Sequence, residues 1–177
     1  IAIDVAQIHE IEAVGTALIG QGVGSAPVWG NPSSFKHTTR SGAGNYTTTS
    51  TSKTPIDSTN LAYLTFTLAV NDVVRCTLAG QSYNSGGNVA GFDFEVDQPT
   101  SANVYIGNTN DYGVTEIQDT IRGPLVAIGI FTATEAGSHG FRPVWLVNAG
   151  TQTLCNATSG ADDTLIEFIV EKLGLSA

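Results

Sequence analysis

Positively charged side chains, cysteine and long apolar runs are scarce in this sequence, and methionine is absent. The 177 residues include 7 Lys+Arg against 16 Asp+Glu, which gives a formal net charge of -9. Nucleic acids and anionic membrane surfaces are bound through clustered Lys and Arg, so we expect neither as a partner. The longest apolar runs are far shorter than the roughly 20 residues of a membrane-spanning helix.

The first residues of the sequence do not show the pattern of a signal peptide. No positively charged segment followed by an apolar core opens the chain, as a signal peptide would require. The first residue is Ile1 rather than methionine. We therefore expect a processed chain or a C-terminal piece of a longer protein.

The two cysteines exclude a disulfide framework and a zinc site. A framework needs several cysteines in a short chain, and zinc needs Cys and His ligands at close spacing. Cys76 lies between apolar neighbours at a period of two, and Cys155 follows Leu154. Both are expected first as small buried hydrophobic residues, while a single bridge between them stays open. No metal ion and no other cofactor is expected.

From residue 61 onward, short runs of alternating apolar and polar residues are separated by Gly, Asn, Asp and Ser clusters. A period of two is typical of strands with one buried face. Eight or so such runs predict an all-β, antiparallel two-sheet sandwich, and a jelly roll fits best. Residues 124–134 are apolar on both faces, so we expect that strand to be covered on both sides. A turn at Ala149 and Gly150 predicts a hairpin between residues 141–148 and 151–157.

The first sixty residues differ from the rest. A helical stripe is confined to residues 5–14, residues 15–30 are rich in glycine, and residues 47–54 form a Thr- and Ser-rich tract that cannot fold alone. We predict an N-terminal attachment arm or stalk at residues 1–31. A Ser/Thr/Gly-rich linker or loop at residues 32–58 and a jelly-roll head at residues 59–177 follow.

Apolar side chains in the arm and in the last strand lack an obvious cover. Burial of a Leu- or Ile-sized side chain stabilises by roughly 1.5–3 kcal/mol, and the short arm has no core of its own. In the last strand, apolar residues lie on both faces, where a sandwich strand should be polar outside. We therefore expect other copies of the chain to cover them. The predicted oligomer interface consists of Ile1, Ile3, Val5, Ile8, Ile11, Val14, Leu18, Trp29, Leu165 and Ile169.

Signals for catalysis are weak. A serine hydrolase needs a nucleophile, a base and an orienting acid, and none of the three histidines adjoins a nucleophile-elbow motif. Glycosidases use two carboxylates that flank the scissile bond. Asp93, Glu95 and Asp97 share one strand face and could bind a sugar or a cation. The favoured interpretation is ordinary solvent-facing alternation. We expect a protein that is not an enzyme.

Aromatic side chains near loops are better functional candidates. Exposed aromatic rings stack on sugars and supply the strongest contacts at protein interfaces. Tyr83, Tyr105 and Tyr112 flank or lie in loops rich in Asn, Ser and Gly, and we select them as candidate receptor contacts. The alternative is that Tyr105 is half-buried in its strand and Tyr83 only closes a loop.

Residues 15–30 read GTALIGQGVGSAPVWG, in which an apolar pair leads into alternating glycines and then into Pro-x-Trp-Gly. This run resembles the short Gly-rich repeat of tail-fibre and other appendage proteins of tailed bacteriophages. It occurs once and covers under a tenth of the chain. By strand pattern alone, the rest resembles the trimeric jelly-roll heads of phage fibres and of complement/tumour-necrosis-factor-like modules.

The resemblance implies a homotrimeric phage structural protein at the virion surface, with an arm that binds other virion proteins. It would be a fibre or spike head that attaches to a host-surface glycan. Two alternatives stay open: a capsid decoration protein that stabilises the head, and a stand-alone carbohydrate-binding module. A glycan-degrading enzyme on the same sandwich would require turnover that depends on Asp93 and Glu95.

Overall fold

The structure is a computed structural model that describes residues 17–19, 28–30, 34–40, 44–107, 112–117, 120–155 and 165–175. The chain divides into two compact units, Ile1–Ser34 and Phe35–Ala177. In the described part of the first unit, β1 (Ala17–Ile19) pairs antiparallel with β2 (Val28–Gly30). The predicted helical stripe at residues 5–14 lies outside the described residues.

The other described strands form two six-stranded sheets. Sheet 1 contains β3 (Ser34–Arg40), β4 (Tyr46–Thr48), β7 (Asp72–Asn84), β11 (Gly123–Thr132), β13 (Gln152–Cys155) and β14 (Ile166–Leu175). Sheet 2 contains β5 (Thr54–Pro55), β6 (Leu64–Leu68), β8 (Ala90–Asp97), β9 (Val104–Tyr105), β10 (Thr115–Ile117) and β12 (Gly137–Val147). Among the residues described there is no helix, and hence none that could cross a membrane.

The long strand β7 organises sheet 1. Along one edge it pairs with β11, from Gly123 opposite Ser82 to Thr132 opposite Val73. Its other edge is shared, because β14 pairs with the first part of β7 and β13 with the last part. Beyond these two strands lie β3 and β4, respectively.

Sheet 2 is organised in the same way around β8 and β12, which pair along eight residues from Gly140–Asp97 to Val147–Ala90. The other edge of β8 pairs with β9 and β10. The other edge of β12 pairs with β6 and β5. The central strands of both sheets therefore have hydrogen-bonded neighbours on both edges.

The core lies between the sheets, because alternate residues of each strand point inward. Phe94 of sheet 2 stacks on Phe168 of sheet 1 with ring centroids 5.9 Å apart. Phe92 and Trp145 form a second ring contact at 6.1 Å. Val74, Cys76 and Leu78 of β7 are fully buried. This architecture confirms the predicted all-β, antiparallel two-sheet jelly-roll sandwich.

Strands β3, β4 and β5 come from the stretch that the sequence assigns to a linker or loop. They lie at the ends of the sheet orders. Just after β5, the buried side chain of Ile56 joins the core, and its N–H donates to the Pro143 carbonyl at 3.2 Å. The arm, linker and head boundaries stay predictions.

The predicted hairpin around Ala149 and Gly150 is wrong. The chain does turn there, with a φ of 76° at Gly150. However, β12 belongs to sheet 2 and β13 to sheet 1. The turn therefore carries the chain from one sheet to the other instead of joining neighbouring strands.

Candidate functional site

Strand β8 is buried on both faces along most of its length, which is unusual for a strand with acidic residues. Phe92, Phe94 and Val96 point into the core, while Asp93 and Glu95 point away from it. The expectation that these two carboxylates face solvent is therefore wrong: Asp93 is 0% exposed and Glu95 is 8% exposed. Parts of the chain distant in sequence cover both of them. Only the third carboxylate of the row, Asp97, is exposed.

Asp93 is held by one cation and two backbone amides. The Lys53 Nζ lies 2.6 Å from Asp93 Oδ2, and the two side chains are 4% and 0% exposed. Asp93 Oδ1 accepts hydrogen bonds from the N–H of Phe94 at 2.7 Å and of Gly107 at 2.8 Å. The Lys53 ammonium also lies 4.6 Å from the ring centroid of Tyr105. Both charges of this pair are thus satisfied inside the protein.

Glu95 lies directly opposite Arg142 in the ladder between β8 and β12. The Arg142 Nε donates to Glu95 Oε2 at 2.7 Å, and the Asn103 side-chain amide donates to Oε1 at 2.8 Å. That amide also lies 3.3 Å from the Tyr63 hydroxyl. The guanidinium lies 4.4 Å from the Tyr63 ring centroid, and Tyr105 of β9 stands opposite Glu95.

We call Tyr63, Glu95, Asn103, Tyr105 and Arg142 the tyrosine–arginine cluster. Burial raises the pKa of Glu95, but the hydrogen bonds from Asn103 and Arg142 and the guanidinium charge outweigh it, so the pKa lies below its ordinary value. Burial and the nearby Glu95 charge raise the pKa of Tyr63 to about 12. They raise the pKa of Tyr105 as well.

The cluster combines a fixed centre with accessible edges. Glu95 is buried, whereas Tyr63 and Tyr105 are half-buried and Asn103 is exposed. Such a surface offers aromatic rings and hydrogen-bonding groups in fixed positions, which suits ligand binding. Within the described residues, no group of three or more His, Cys, Asp or Glu side chains is placed to hold a metal ion.

A second surface lies on the outer side of sheet 1, along β11. The inner residues Leu125 and Ala127 are buried. The outer residues Val126, Ile128 and Ile130 are 55%, 51% and 53% exposed. The expectation that this strand is covered on both sides therefore fails for the single chain, which covers the inner side alone.

The register of the three central strands extends this surface across sheet 1. Ile128 of β11 lies opposite Thr77 of β7, which lies opposite Ile169 of β14. Residues directly opposite one another in an antiparallel ladder share a face. Ile169 is half-buried, and Leu165, just before β14, is 43% exposed. We call Val126, Ile128, Ile130, Leu165 and Ile169 the apolar face.

Two pairs of ionisable side chains border the apolar face. The Arg75 Nε donates to Glu171 Oε2 at 2.8 Å. Arg75 stands directly opposite Ile130, so this ion pair lies in the same row as Ile130, at one end of the face. On the other side, the His37 Nε2 lies 3.5 Å from Glu167 Oε1. An apolar centre with a polar rim is the usual anatomy of a protein–protein interface.

The structure brings together part of the predicted oligomer interface. Leu165 and Ile169 lie on the apolar face, while Leu18 and Trp29 stand opposite each other in the β1–β2 ladder of the other unit. Sequence reasoning missed Val126, Ile128 and Ile130, whose double-sided apolar pattern was the available signal. The remaining predicted residues, which lie outside the described part of the chain, are Ile1, Ile3, Val5, Ile8, Ile11 and Val14.

The three candidate receptor tyrosines do not form one site. Tyr105 belongs to the tyrosine–arginine cluster. Tyr83 lies half-buried on sheet 1, opposite Thr153. Tyr112 is half-buried before β10, where its backbone carbonyl lies against Gly91 of β8.

The cluster members Tyr63, Asn103 and Arg142 were missed by sequence reasoning. They come from separate strands and loops, and their spacing along the chain carries no motif. Their common site follows from the pairing of β8 with β9 and β12.

The two cysteines form no bridge. Cys76 and Cys155 are free and buried in β7 and β13. Burial raises the pKa of each thiol, although the Arg122 guanidinium acts in the opposite direction on Cys155. The interpretation of both as small buried hydrophobic residues fits this environment.

No protein-family model matches the sequence, and no curated protein matches it. Among solved structures, the chain is similar to the Eiger TNF structure from S. frugiperda, with 10% identity, a TM-score of 0.40 and coverage of 81% of this chain and 95% of that one. It is also similar to the infectious bursal disease virus VP2 subviral particle, with 10% identity and a TM-score of 0.36. That alignment covers 91% of this chain and 42% of the VP2 chain. At this level of similarity, neither structure assigns a function.

Proposed function

We propose that this chain is a structural protein at the surface of a bacteriophage particle, assembled as a homotrimer. In this proposal it is a fibre or spike head that attaches to a host-surface glycan. It works by binding rather than by catalysis, without a cofactor. The arm at residues 1–31 joins the head to other virion proteins.

The observation that carries the proposal is the uncovered outer side of β11. Val126, Ile128 and Ile130 keep about half of their surface in water. Full burial of such side chains stabilises by roughly 1.5–3 kcal/mol each, so covering the exposed half adds about 1 kcal/mol apiece. A copy of the chain is the partner always present at matching concentration, and the charged rim gives the contact its orientation.

The phage assignment is supported by the Gly-rich run at residues 15–30, which resembles the repeat of phage appendage proteins. The net charge of -9 is compatible with an outward position on a particle, away from packaged nucleic acid. A capsid decoration protein is the second candidate, because a trimer built on the apolar face serves that role equally well.

The molar mass of the whole chain in solution tests the trimer. Light scattering after size exclusion should give three times the chain mass of 18.4 kDa. The variant Val126→Asp introduces a charge on the apolar face and should give a folded monomer by circular dichroism. The matched control Val70→Asp alters a valine of 49% exposure in a turn and should remain trimeric.

Three results would overturn the trimer on the apolar face. These are a monomeric wild-type chain at micromolar concentration, an oligomer that Val126→Asp leaves intact, and equal dissociation by Val70→Asp. A monomer that binds glycans would point to a stand-alone carbohydrate-binding module.

The location is tested on the particles of the virus that encodes the chain. Gold-labelled antibodies against the head should decorate intact particles in electron micrographs. Label at fibre or spike tips supports the attachment role, and an even distribution over the capsid supports decoration. Intact particles without label would refute the virion-surface assignment.

A further inference from the structure

We propose that the tyrosine–arginine cluster binds a neutral pyranose sugar. The inference rests on the proposed glycan attachment and assigns it to a site. It also narrows the substrate class, because the charges around the cluster discriminate between neutral and acidic sugars.

Hydrogen bonds and ring contacts hold the cluster rigidly. Glu95 accepts hydrogen bonds from both Arg142 and Asn103, at 2.7 and 2.8 Å, and is 8% exposed. The guanidinium is further fixed by the Tyr63 ring, 4.4 Å away. Groups that are held in place before binding lose little conformational entropy when a ligand binds. A small entropy loss favours binding of a weak ligand such as a sugar.

Two aromatic rings, Tyr63 and Tyr105, lie on either side of Glu95 in the cluster. Tyr63 is anchored next to Glu95 and Arg142, and Tyr105 stands opposite Glu95 in the β8–β9 ladder. Each ring has a cation on one side, Arg142 for Tyr63 and Lys53 for Tyr105. Both residues are half-buried, so part of each side chain is exposed to solvent. The apolar C–H face of a pyranose packs on such a ring while its hydroxyls bond to neighbouring polar groups.

The exposed Asn103 supplies those polar groups. Its amide nitrogen already serves Glu95, and its position directly before β9 places it next to both tyrosines in the network. The amide nitrogen donates to Glu95 and to the Tyr63 hydroxyl, so the side-chain carbonyl oxygen is the group that accepts a hydrogen bond from a sugar hydroxyl. Aromatic rings beside an amide therefore give the combination that a hydroxyl-rich, uncharged ligand requires.

Charge decides between neutral and acidic sugars. Arg142 is ion-paired with Glu95, and Lys53 is ion-paired with the buried Asp93. Asp97 adds a further exposed carboxylate that acts on Tyr63. The carboxylates around the cluster thus outnumber the two cations, so an acidic sugar is repelled whereas a neutral one is not.

The experiment is a glycan array that carries neutral and sialylated glycans, probed with the full chain and followed by calorimetry with the best neutral ligand. Tyr63→Ala and Tyr105→Ala should each weaken binding at least about fivefold, as truncation of a central aromatic contact does. The matched control is Tyr83→Ala, also a half-buried tyrosine but on sheet 1, which should bind like the wild type. If Tyr63→Ala does not fold, the edge-strand variant Tyr105→Ala and the exposed Asn103→Ala decide the question.

Neutral-glycan binding that is lost in the cluster variants and kept in Tyr83→Ala supports the proposal. Binding of sialylated glycans alone, binding of no glycan, or loss of binding in Tyr83→Ala alone would overturn it. The molar mass of each sample separates the two proposals. A trimer that binds no neutral glycan refutes this inference only, and a monomer refutes the proposed trimer whether or not it binds sugar.

Discussion

Lys53 reaches across the outer side of sheet 2 to Asp93, with its ammonium nitrogen 2.6 Å from the carboxylate. Lys53 directly precedes β5, while Asp93 lies in the centre of β8. The two side chains are almost completely buried. One ion pair therefore fastens the segment before β5 to the middle of the sheet.

Removal of this lysine should be costly. In Lys53→Met the Asp93 carboxylate stays buried without its cation, and breaking a buried pair in this way costs about 3–5 kcal/mol. Urea denaturation should show that loss in the free energy of unfolding. The control Arg75→Met removes a more exposed partner of Glu171 and should cost about 0–1 kcal/mol. Similar losses in both variants would contradict a special role of the buried pair.

Glu95 should make the fold sensitive to acid. Its pKa in the folded chain lies below the ordinary value of 4.5, so the carboxylate stabilises the fold fully above about pH 4.5. That stabilisation is lost as the pH falls through the folded-state pKa. Thermal unfolding between pH 7 and pH 2 should therefore show a steeper decline for the wild type than for Glu95→Gln. The exposed carboxyl variant Glu116→Gln should follow the wild-type curve, and a wild-type slope in Glu95→Gln would disprove the effect.

Gly91 should not tolerate a methyl group. A Cβ at this position would lie 1.8 Å from the Tyr112 carbonyl oxygen, so the segment before β10 would have to move. We expect Gly91→Ala to cost about 1–3 kcal/mol, the usual range for overpacking. Gly123→Ala is the matched control, because its Cβ would approach no atom closer than 3.9 Å. The melting temperatures of the two variants test this prediction. An unchanged melting temperature for Gly91→Ala would contradict it and would show that the segment before β10 moves without a cost in stability.

The sequence pattern was sufficient for the fold class. In residues 89–97, for example, apolar residues alternate with glycine and acidic residues, and the apolar Phe92, Phe94 and Val96 are all fully buried. This works because a strand has two faces and a single core covers one of them. Local periodicity therefore carries the information that distinguishes a sandwich from other folds.

The candidate site could not be predicted from the same alternation of apolar and polar residues. Asp93 and Glu95 lie on the polar side of their strand, where alternation predicts solvent. Their cover comes from Lys53 and Arg142, which are distant in sequence, and from Tyr105 on the next strand. Alternation in the sequence shows whether a strand face is polar, but it does not show what packs against that face. A buried ion pair therefore has the same sequence pattern as a row of surface carboxylates.

The position of β7 in sheet 1 has a consequence for synthesis on the ribosome. Its first half pairs with β14, which is translated long after β7 itself. Until residues 166–175 have emerged, Phe168 and Val170 cannot close over the β7 side of the core, and the nascent sandwich exposes an open sheet edge. Unpaired strand edges and exposed apolar surface favour aggregation, so the incomplete chain is more prone to aggregate than the finished sandwich.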